Sequence, residues 1–311
     1  MAKKLLFIYN PHAGKSMIRT NLTDIIDVFT KGGYDVLAHP TQARGDATAL
    51  TQTEAGNYDL VVCSGGDGTL DEVVTGMMKR EEHVPIGYIP AGSTNDFARS
   101  LKISNNMTKA AMDIVDGRHY LCDVGRFNDD SFVYVAGFGL FTNVSYETNQ
   151  DIKNVLGHLA YLLEGARQIS QIPVFHMHVR SEGREYEGEY MYGMVTNSRS
   201  VGGFPSRDRK NVDLNDGLFE VMLIKAPSSL IEMNLILRSV VSRKIHTDYM
   251  QFFRSAHVEF ESDGEVPWTL DGEFGGNHKE VVIDNEFQKL HLIIPKDPFH
   301  EGEDDGLEGS L

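Results

Sequence analysis

Asp59-Leu-Val-Val-Cys63-Ser-Gly65-Gly-Asp67-Gly-Thr69-Leu-Asp-Glu72-Val-Val-Thr-Gly-Met-Met78 holds, in order, a short apolar run, a glycine loop and a segment of helical character. Asp59 to Cys63 reads as a strand and about Leu70 to Met78 as a helix. In an open α/β sheet, ligands bind at such a loop, outside the carboxyl end of the strand. The three glycines of Gly65-Gly66-Asp67-Gly68-Thr69 let backbone amides turn toward a phosphate. The helix N-terminus that follows adds partial positive charge. A carboxylate in this loop would be repelled by bare phosphate, so Asp67 predicts an intervening Mg²⁺, bound directly or through water. A tight turn with a capping aspartate would need fewer glycines.

Around this unit the first third of the chain alternates between two periods. Leu5 to Tyr9 is a continuous apolar run, as in a strand covered on both faces. Ile18 to Phe29 places Leu22, Ile25, Ile26 and Phe29 on one helix face, ended by Gly32-Gly33. Tyr34 to Ala38 and Val84 to Ile89 read as strands and Asp46 to Ala55 as a helix. Strands separated by helices of this length imply a mostly parallel, twisted sheet. From about Tyr120 the texture changes. Phe132–Gly137, Val174–Arg180, Glu185–Thr196, Phe219–Ile224, Val258–Phe260 and Leu290–Ile294 read as strands, with few helices between them. One helix is expected over about 154–169 and another after Pro227-Ser-Ser. This pattern predicts an antiparallel sandwich and a domain junction near Asp123 to Asp130.

Composition narrows the function. At 311 residues the chain has room for two domains. No apolar run reaches membrane-spanning length. Asn10-Pro11 cuts short the N-terminal apolar stretch, and no small-residue cleavage site follows, so the segment reads as a first strand and the chain as cytoplasmic. A net charge of −16 argues against nucleic acid and against charge-driven binding to anionic lipid. The acidic end, residues 299–311, reads as a solvated, disordered tail. Cys63 and Cys122 sit in apolar, strand-like surroundings and read as buried small hydrophobes. His176 and His178 share a strand face with no third metal ligand apparent.

Three further segments can carry chemistry. Asn10-Pro-His-Ala-Gly14-Lys15 follows the first strand; its Gly-Lys-Ser ending lacks Walker A spacing, since the fifth residue before Gly14 is Tyr9. Ala91-Gly-Ser-Thr-Asn-Asp96 leaves the fourth strand at the same sheet edge, so three strand ends offer Gly, Asn, Thr and Asp together. Leu270-Asp271-Gly272-Glu273 is either a hairpin turn or a source of a carboxylate that accepts a hydroxyl proton. Asp213-Leu-Asn-Asp216-Gly-Leu218 is either a turn or a cation site.

With these residues assembled, the sequence resembles the bacterial diacylglycerol kinase family of soluble lipid kinases over roughly residues 3 to 295. The resemblance rests on Asn10-Pro-x-x-Gly14, Thr41 with Gly45-Asp46-Ala47, Gly65 to Thr69, Gly92 to Asp96, Asn215-Asp216-Gly217 and Asp271-Gly-Glu273. It implies an NAD-kinase-like α/β domain followed by a C-terminal antiparallel β-sandwich domain, with an ATP·Mg²⁺ site in the cleft between them. The expected boundaries are 1–128 and 129–287, with 288–298 able to pack back on the first domain. By the same resemblance Asn10, Pro11, His12, Ala13, Gly14, Thr41, Gly65, Gly66, Asp67, Gly68, Thr69, Glu72 and Thr94 surround ATP. Asp67 and Asp96 organise the catalytic Mg²⁺ through water, while Asp213, Asp216 and Leu218 hold a structural Mg²⁺. Glu273 is the general base, with Asp271 and Asp67 beside it in the catalytic set. One position departs from the pattern: the residue after Gly-Thr-Leu, commonly Asn in the family, is Asp71, which puts an extra negative charge beside the phosphates.

The implied reaction is phosphorylation of a lipid hydroxyl, diacylglycerol to phosphatidic acid, during transient contact with the inner face of the membrane. Family members often pair, so the resemblance also admits a homodimer. Leu156, Leu159, Ala160, Leu163 and Ile169 form an apolar stripe that reads either as core packing or as a lipid-facing lip, with Lys153, Arg167 and Arg207-Asp-Arg-Lys210 nearby. Two rival readings are an NAD kinase, which shares the glycine loop and the two-domain plan, and a nucleotide-binding sensor without turnover.

Overall fold

The computed structural model describes residues 2–14, 17–92, 95–139, 172–197, 200–201, 204–205, 214–242 and 248–296. The expected helix over 154–169, the acidic tail, Thr94 and Asp213 lie outside the described residues, as does the side chain of Asp96.

The N-terminal half is a wound α/β layer. Strands β1 (Lys3–Tyr9), β2 (Tyr34–Pro40), β3 (Leu60–Gly65) and β4 (Ile86–Pro90) run parallel in the order β2-β1-β3-β4. The buried runs Leu5–Ile8 and Leu60–Gly65 are covered on both sides by helices, which explains why they are continuously apolar. Helix α1 (Ile18–Lys31) turns Ile18, Ile25 and Phe29 inward and stops at Gly32, after which Gly33 adopts φ +87°. Helix α2 (Asp46–Glu54) packs on α3 (Asp67–Met78), with α4 (Asp96–Ser100) and α5 (Met107–Asp116) completing the layer. Helix α5 is not among the helices expected from sequence. Its signals are nonetheless present: Asn106 accepts the Lys109 N–H at the cap, and Met107, Ala110, Ala111 and Ile114 repeat at helical spacing. Helix α3 begins at Asp67 rather than near Leu70, because Gly66 is extended and Thr69 N–H already closes on its carbonyl.

Strand β5 (Arg118–Phe127) ends within the expected junction, Asp123 to Asp130. It leads through β6 (Asp130–Phe132) and β7 (Val135–Gly139) into β8 (Phe175–Ser181), β9 (Arg184–Thr196), the short pair β10 (Ser200–Val201) and β11 (Phe204–Pro205), and β12 (Phe219–Lys225). Helix α6 (Leu230–Ser242), β13 (Met250–Ser255), β14 (His257–Leu270) and β15 (Glu273–Ile294) complete the chain. The expected strand Phe132–Gly137 is thus split at Val133-Tyr134, whose backbone amides are used otherwise, as shown below.

The second half is an antiparallel double layer. Strand β9 pairs with both β7 and β8, and β14 pairs with the same two strands, so the sheet folds over on itself. Between the layers Trp268 packs against Phe127, Phe138 and Phe260, at ring-centroid distances of 4.9–5.1 Å. Strand β15 joins the halves. Its first part pairs with β14, its later part with β5, and Leu292 and Ile293 lie parallel to Ile86 and Gly87 of β4. Two paired strands therefore cross from one core to the other: Tyr120, Cys122, Leu290 and Leu292 belong to the first core, and Phe127, Val281 and Ile283 to the second. This double crossing fixes the first residues of β15 against the carboxyl ends of β1, β3 and β4.

Candidate active site

The carboxyl ends of β1, β3 and β4 are tied backbone to backbone. Asn10 N–H donates to the Ser64 carbonyl (2.8 Å), Ala91 N–H to the Gly65 carbonyl (2.7 Å) and Thr41 N–H to the Tyr9 carbonyl (2.9 Å). Two glycines make this closeness possible. A Cβ on Gly14, whose φ is +47°, would fall 1.7 Å from the Ala91 carbonyl oxygen, and one on Gly92 would fall 2.6 Å from the Gly66 Cα. Asn95, at φ 51°, fixes the third loop: its Oδ1 accepts the Gly92 N–H and its Nδ2 donates to the Gly92 carbonyl, both at 2.9 Å. Asn95 is not among the site residues expected from sequence, because its αL conformation is a property of the folded loop.

Over these loops opens a cavity of about 900 Å³. Of the residues expected to surround a nucleotide, Asn10, His12, Ala13, Gly14, Thr41, Gly66, Gly68, Thr69 and Glu72 line it. Gly65 is buried at the end of β3, and Pro11 stands in the turn that His12 N–H closes on Asn10 Oδ1 (2.9 Å). The Glu72 side chain is committed elsewhere: its carboxylate accepts the N–H groups of Gly45 (2.8 Å) and Ala47 (3.2 Å), pinning the β2–α2 loop to α3. Its place in the cavity is therefore that of a loop anchor.

The second half contributes the far wall. Leu270 and Glu273 face each other across a two-residue turn with Asp271 at φ 49° and Gly272 at φ 91°, the conformation that closes twisted hairpins. Both readings of this motif hold together. The turn is real, and it aims Glu273 at the glycine loop, with Oε1 3.5 Å from where a Cβ on Gly68 would stand. Glu273 is half exposed and pairs with Arg44 Nη2 at 3.3 Å. Asp271 points the other way. Its Oδ2 accepts the Val133 N–H (2.6 Å) and its Oδ1 those of Tyr134 (2.8 Å) and Val135 (2.7 Å). Burial nevertheless outweighs these three donors, and the Asp271 carboxyl is pushed up to about 6. This geometry makes Asp271 the residue that holds the turn, one step removed from the transferred group.

Beside the main cavity lies a small one of about 30 Å³, lined by Asp67, Asp71 and Asp271 together with Leu70, Phe97, Val133 and Tyr134. Burial, with Asp271 and Asp130 close by, holds the Asp71 carboxyl well above the usual range, and its Oδ1 is buried with no hydrogen-bond partner. A divalent cation fits this surplus of carboxylate oxygen. Among the described residues no three acidic or histidine side chains converge to hold a metal by themselves, so water or phosphate oxygens would have to complete its shell. Farther away, of the residues expected to hold a structural cation, Asp216 accepts the Leu218 N–H (3.1 Å) and pairs with the Arg254 guanidinium, which also reaches Glu220 at 3.2 Å. His176 and His178 face Glu185, Glu187 and Glu189 on β9, away from this cleft.

With this geometry in view, residues 4–127 match the family model of the diacylglycerol kinase catalytic domain. Residues 135–291 match that of the YegS C-terminal NAD kinase beta sandwich-like domain. A diacylglycerol kinase of Bacillus subtilis (strain 168) is 30% identical over 304 residues, spanning 97% of this chain and 100% of the relative. One from Staphylococcus aureus (strain JH9) is 32% identical over 304 residues, 97% of this chain and 95% of the relative. The chain belongs to the diacylglycerol kinase family. A crystal structure of a diacylglycerol kinase from Bacillus anthracis str. Sterne has the same architecture, with a TM-score of 0.70 at 25% identity over 94% of this chain and 97% of that one. As a member of this family the chain is a lipid kinase, with the α/β and β-sandwich domains that the sequence predicted. The rival readings, NAD kinase and sensor without turnover, give way to it. Among the described residues no helix is long and apolar enough to cross a membrane.

Proposed function

We propose that the chain transfers the γ-phosphate of ATP to the free hydroxyl of diacylglycerol, giving phosphatidic acid and ADP. The observation that carries this reading is the placement of Glu273. A carboxylate of the second domain stands over the phosphate-cradling loop of the first, across an open cavity. In the reaction Glu273 takes the hydroxyl proton as the acceptor oxygen forms its bond to phosphorus, and the bond from phosphorus to the ADP oxygen breaks with its electron pair leaving on ADP. The amides around Gly66 and Gly68, at the start of α3, stabilise the charge on the phosphate oxygens. Asp67 and the neighbouring Asp71 would hold a Mg²⁺ ion, which would supply charge neutralisation at the phosphates. The names of the relatives support the acceptor, and the carboxylate-rich small cavity supports the cation.

The same reading has the enzyme meet its substrate in brief contact with the inner face of the membrane. The net charge of −16 suits release after each turnover. A homodimer accords with it.

Labelled ATP with dispersed diacylglycerol and Mg²⁺, resolved by thin-layer chromatography, tests the proposal. The expected outcome is labelled phosphatidic acid, abolished by EDTA. Label appearing on NAD but not on lipid, or on neither, would refute it.

A further inference from the structure

The β2–α2 loop presents Arg44 to the cleft on a fixed backbone. Gly45, at φ +83°, turns the chain immediately after it, and Glu72 holds the N–H groups of Gly45 and Ala47 against α3. Asp46 accepts the Gln42 N–H (2.8 Å), closing the loop from the other side. A cation on so constrained a loop is aimed by design of the backbone, while its own side chain stays 75% exposed.

Charge decides what it is aimed at. The described residues lining the main cavity include Asp71, Glu72, Asp130 and Glu273, against two full cations, Arg44 and Lys79. Lys79 follows the last residue of α3, a helix of 12 residues and so about 18 Å from the glycine loop. Within the main cavity Arg44 is therefore the described cation nearer the glycine loop. Its present partner is Glu273, whose Oε1 comes within 3.5 Å of where a Cβ on Gly68 would stand. An exposed ion pair of this kind contributes little to stability and exchanges easily. A triphosphate placed against Gly68 would offer Arg44 a charge-assisted, bidentate contact that is the stronger of the two.

We infer that Arg44 is a phosphate-binding residue parked on Glu273 until the nucleotide arrives, so that one event secures the donor and releases the base. The inference rests on the nucleotide-donor reading proposed above and adds a residue and an order of events to it. Arg44 carries no weight in the sequence motifs, because a lone arginine beside Gly45-Asp46 has no pattern of its own. Only the fold brings it to Glu273.

Equilibrium binding to the full chain, followed by titration calorimetry with Mg²⁺ present, tests it with ATP and AMP as probes. R44A and R44Q are expected to weaken ATP binding about tenfold or more and AMP binding less than about twofold, with R44K between them and the parent. E273Q frees Arg44 from its partner, so it is expected to tighten ATP binding, and to do so less when R44A is also present. ATP affinity unchanged in R44A would overturn the phosphate role. An equal gain from E273Q in both backgrounds would overturn the exchange. If the parent chain bound no ATP, the donor reading itself would fall, a result distinct from loss of the Arg44 effect alone.

Discussion

Asp271 and Val135 hold each other twice: the Asp271 N–H donates to the Val135 carbonyl at 2.8 Å, and the Val135 N–H donates to Asp271 Oδ1 at 2.7 Å. With Val133 and Tyr134 also donating to the same carboxylate, the start of β7 and the β14–β15 turn become one rigid unit. The candidate base is the second residue after Asp271, so its aim depends on this lock.

Asp271→Asn keeps a residue that tolerates φ 49° but turns one acceptor into a donor facing backbone N–H groups. It is expected to cost about 1–3 kcal/mol in denaturant unfolding and to lower kcat more than it alters nucleotide affinity. Parent-like stability would show that the turn holds without the carboxylate.

Asp71→Asn restores the residue common in the family and removes a buried acid. Because the folded-state pKa of Asp71 is raised, the native state binds its proton more tightly than the unfolded state does. Its contribution to stability is full below the unfolded pKa and is lost as pH rises through the folded value. Without added Mg²⁺, the variant is therefore expected to be more stable than the parent by about 1–2 kcal/mol at pH 8, with the gain vanishing as pH falls toward 4. Chemical denaturation at both ends of this range reads the difference; a gain independent of pH would assign it to packing.

Glu273→Gln leaves the turn in place and removes the proton acceptor. A fall in kcat of about 10²–10⁴ is expected, with unfolding unchanged. Turnover within about tenfold of the parent would move the base elsewhere.

Gly14→Ala places a methyl group 1.7 Å from the Ala91 carbonyl oxygen, at a φ of +47° that alanine resists. The loops after β1 and β4 must then part. Loss of ATP affinity of about tenfold or more is expected, along with lower thermal stability. Calorimetry and a melting curve check the two effects separately.

Local chemistry carries far in this chain. The apolar runs of β1 and β3, the helix face of α1 and the loop Gly65–Thr69 are legible because their signals lie within a few residues. The Asp271-Gly272 dipeptide marks the hairpin, and Glu273 is legible beside it through the family resemblance. Long-range pairing carries the rest. Strand β5 is not legible in the sequence, since its full length pairs with the remote β15 and only its last residues meet the adjacent β6. Glu72 sits within a nucleotide motif, yet its carboxylate is spent on Gly45 and Ala47.

What the amino-acid order determined by itself was the kind of chemistry: a glycine cradle at a helix start, a carboxylate that calls for a cation, and an acid at a hairpin tip. What the tertiary structure decided was which charges meet. It buried Asp71 among other acids, gave Asp216 to Arg254 and set Arg44 against Glu273. The physical reason is that charges act through space. Their partners are set by where β5 and β15 cross between the two cores, and no local pattern in the chain records that crossing.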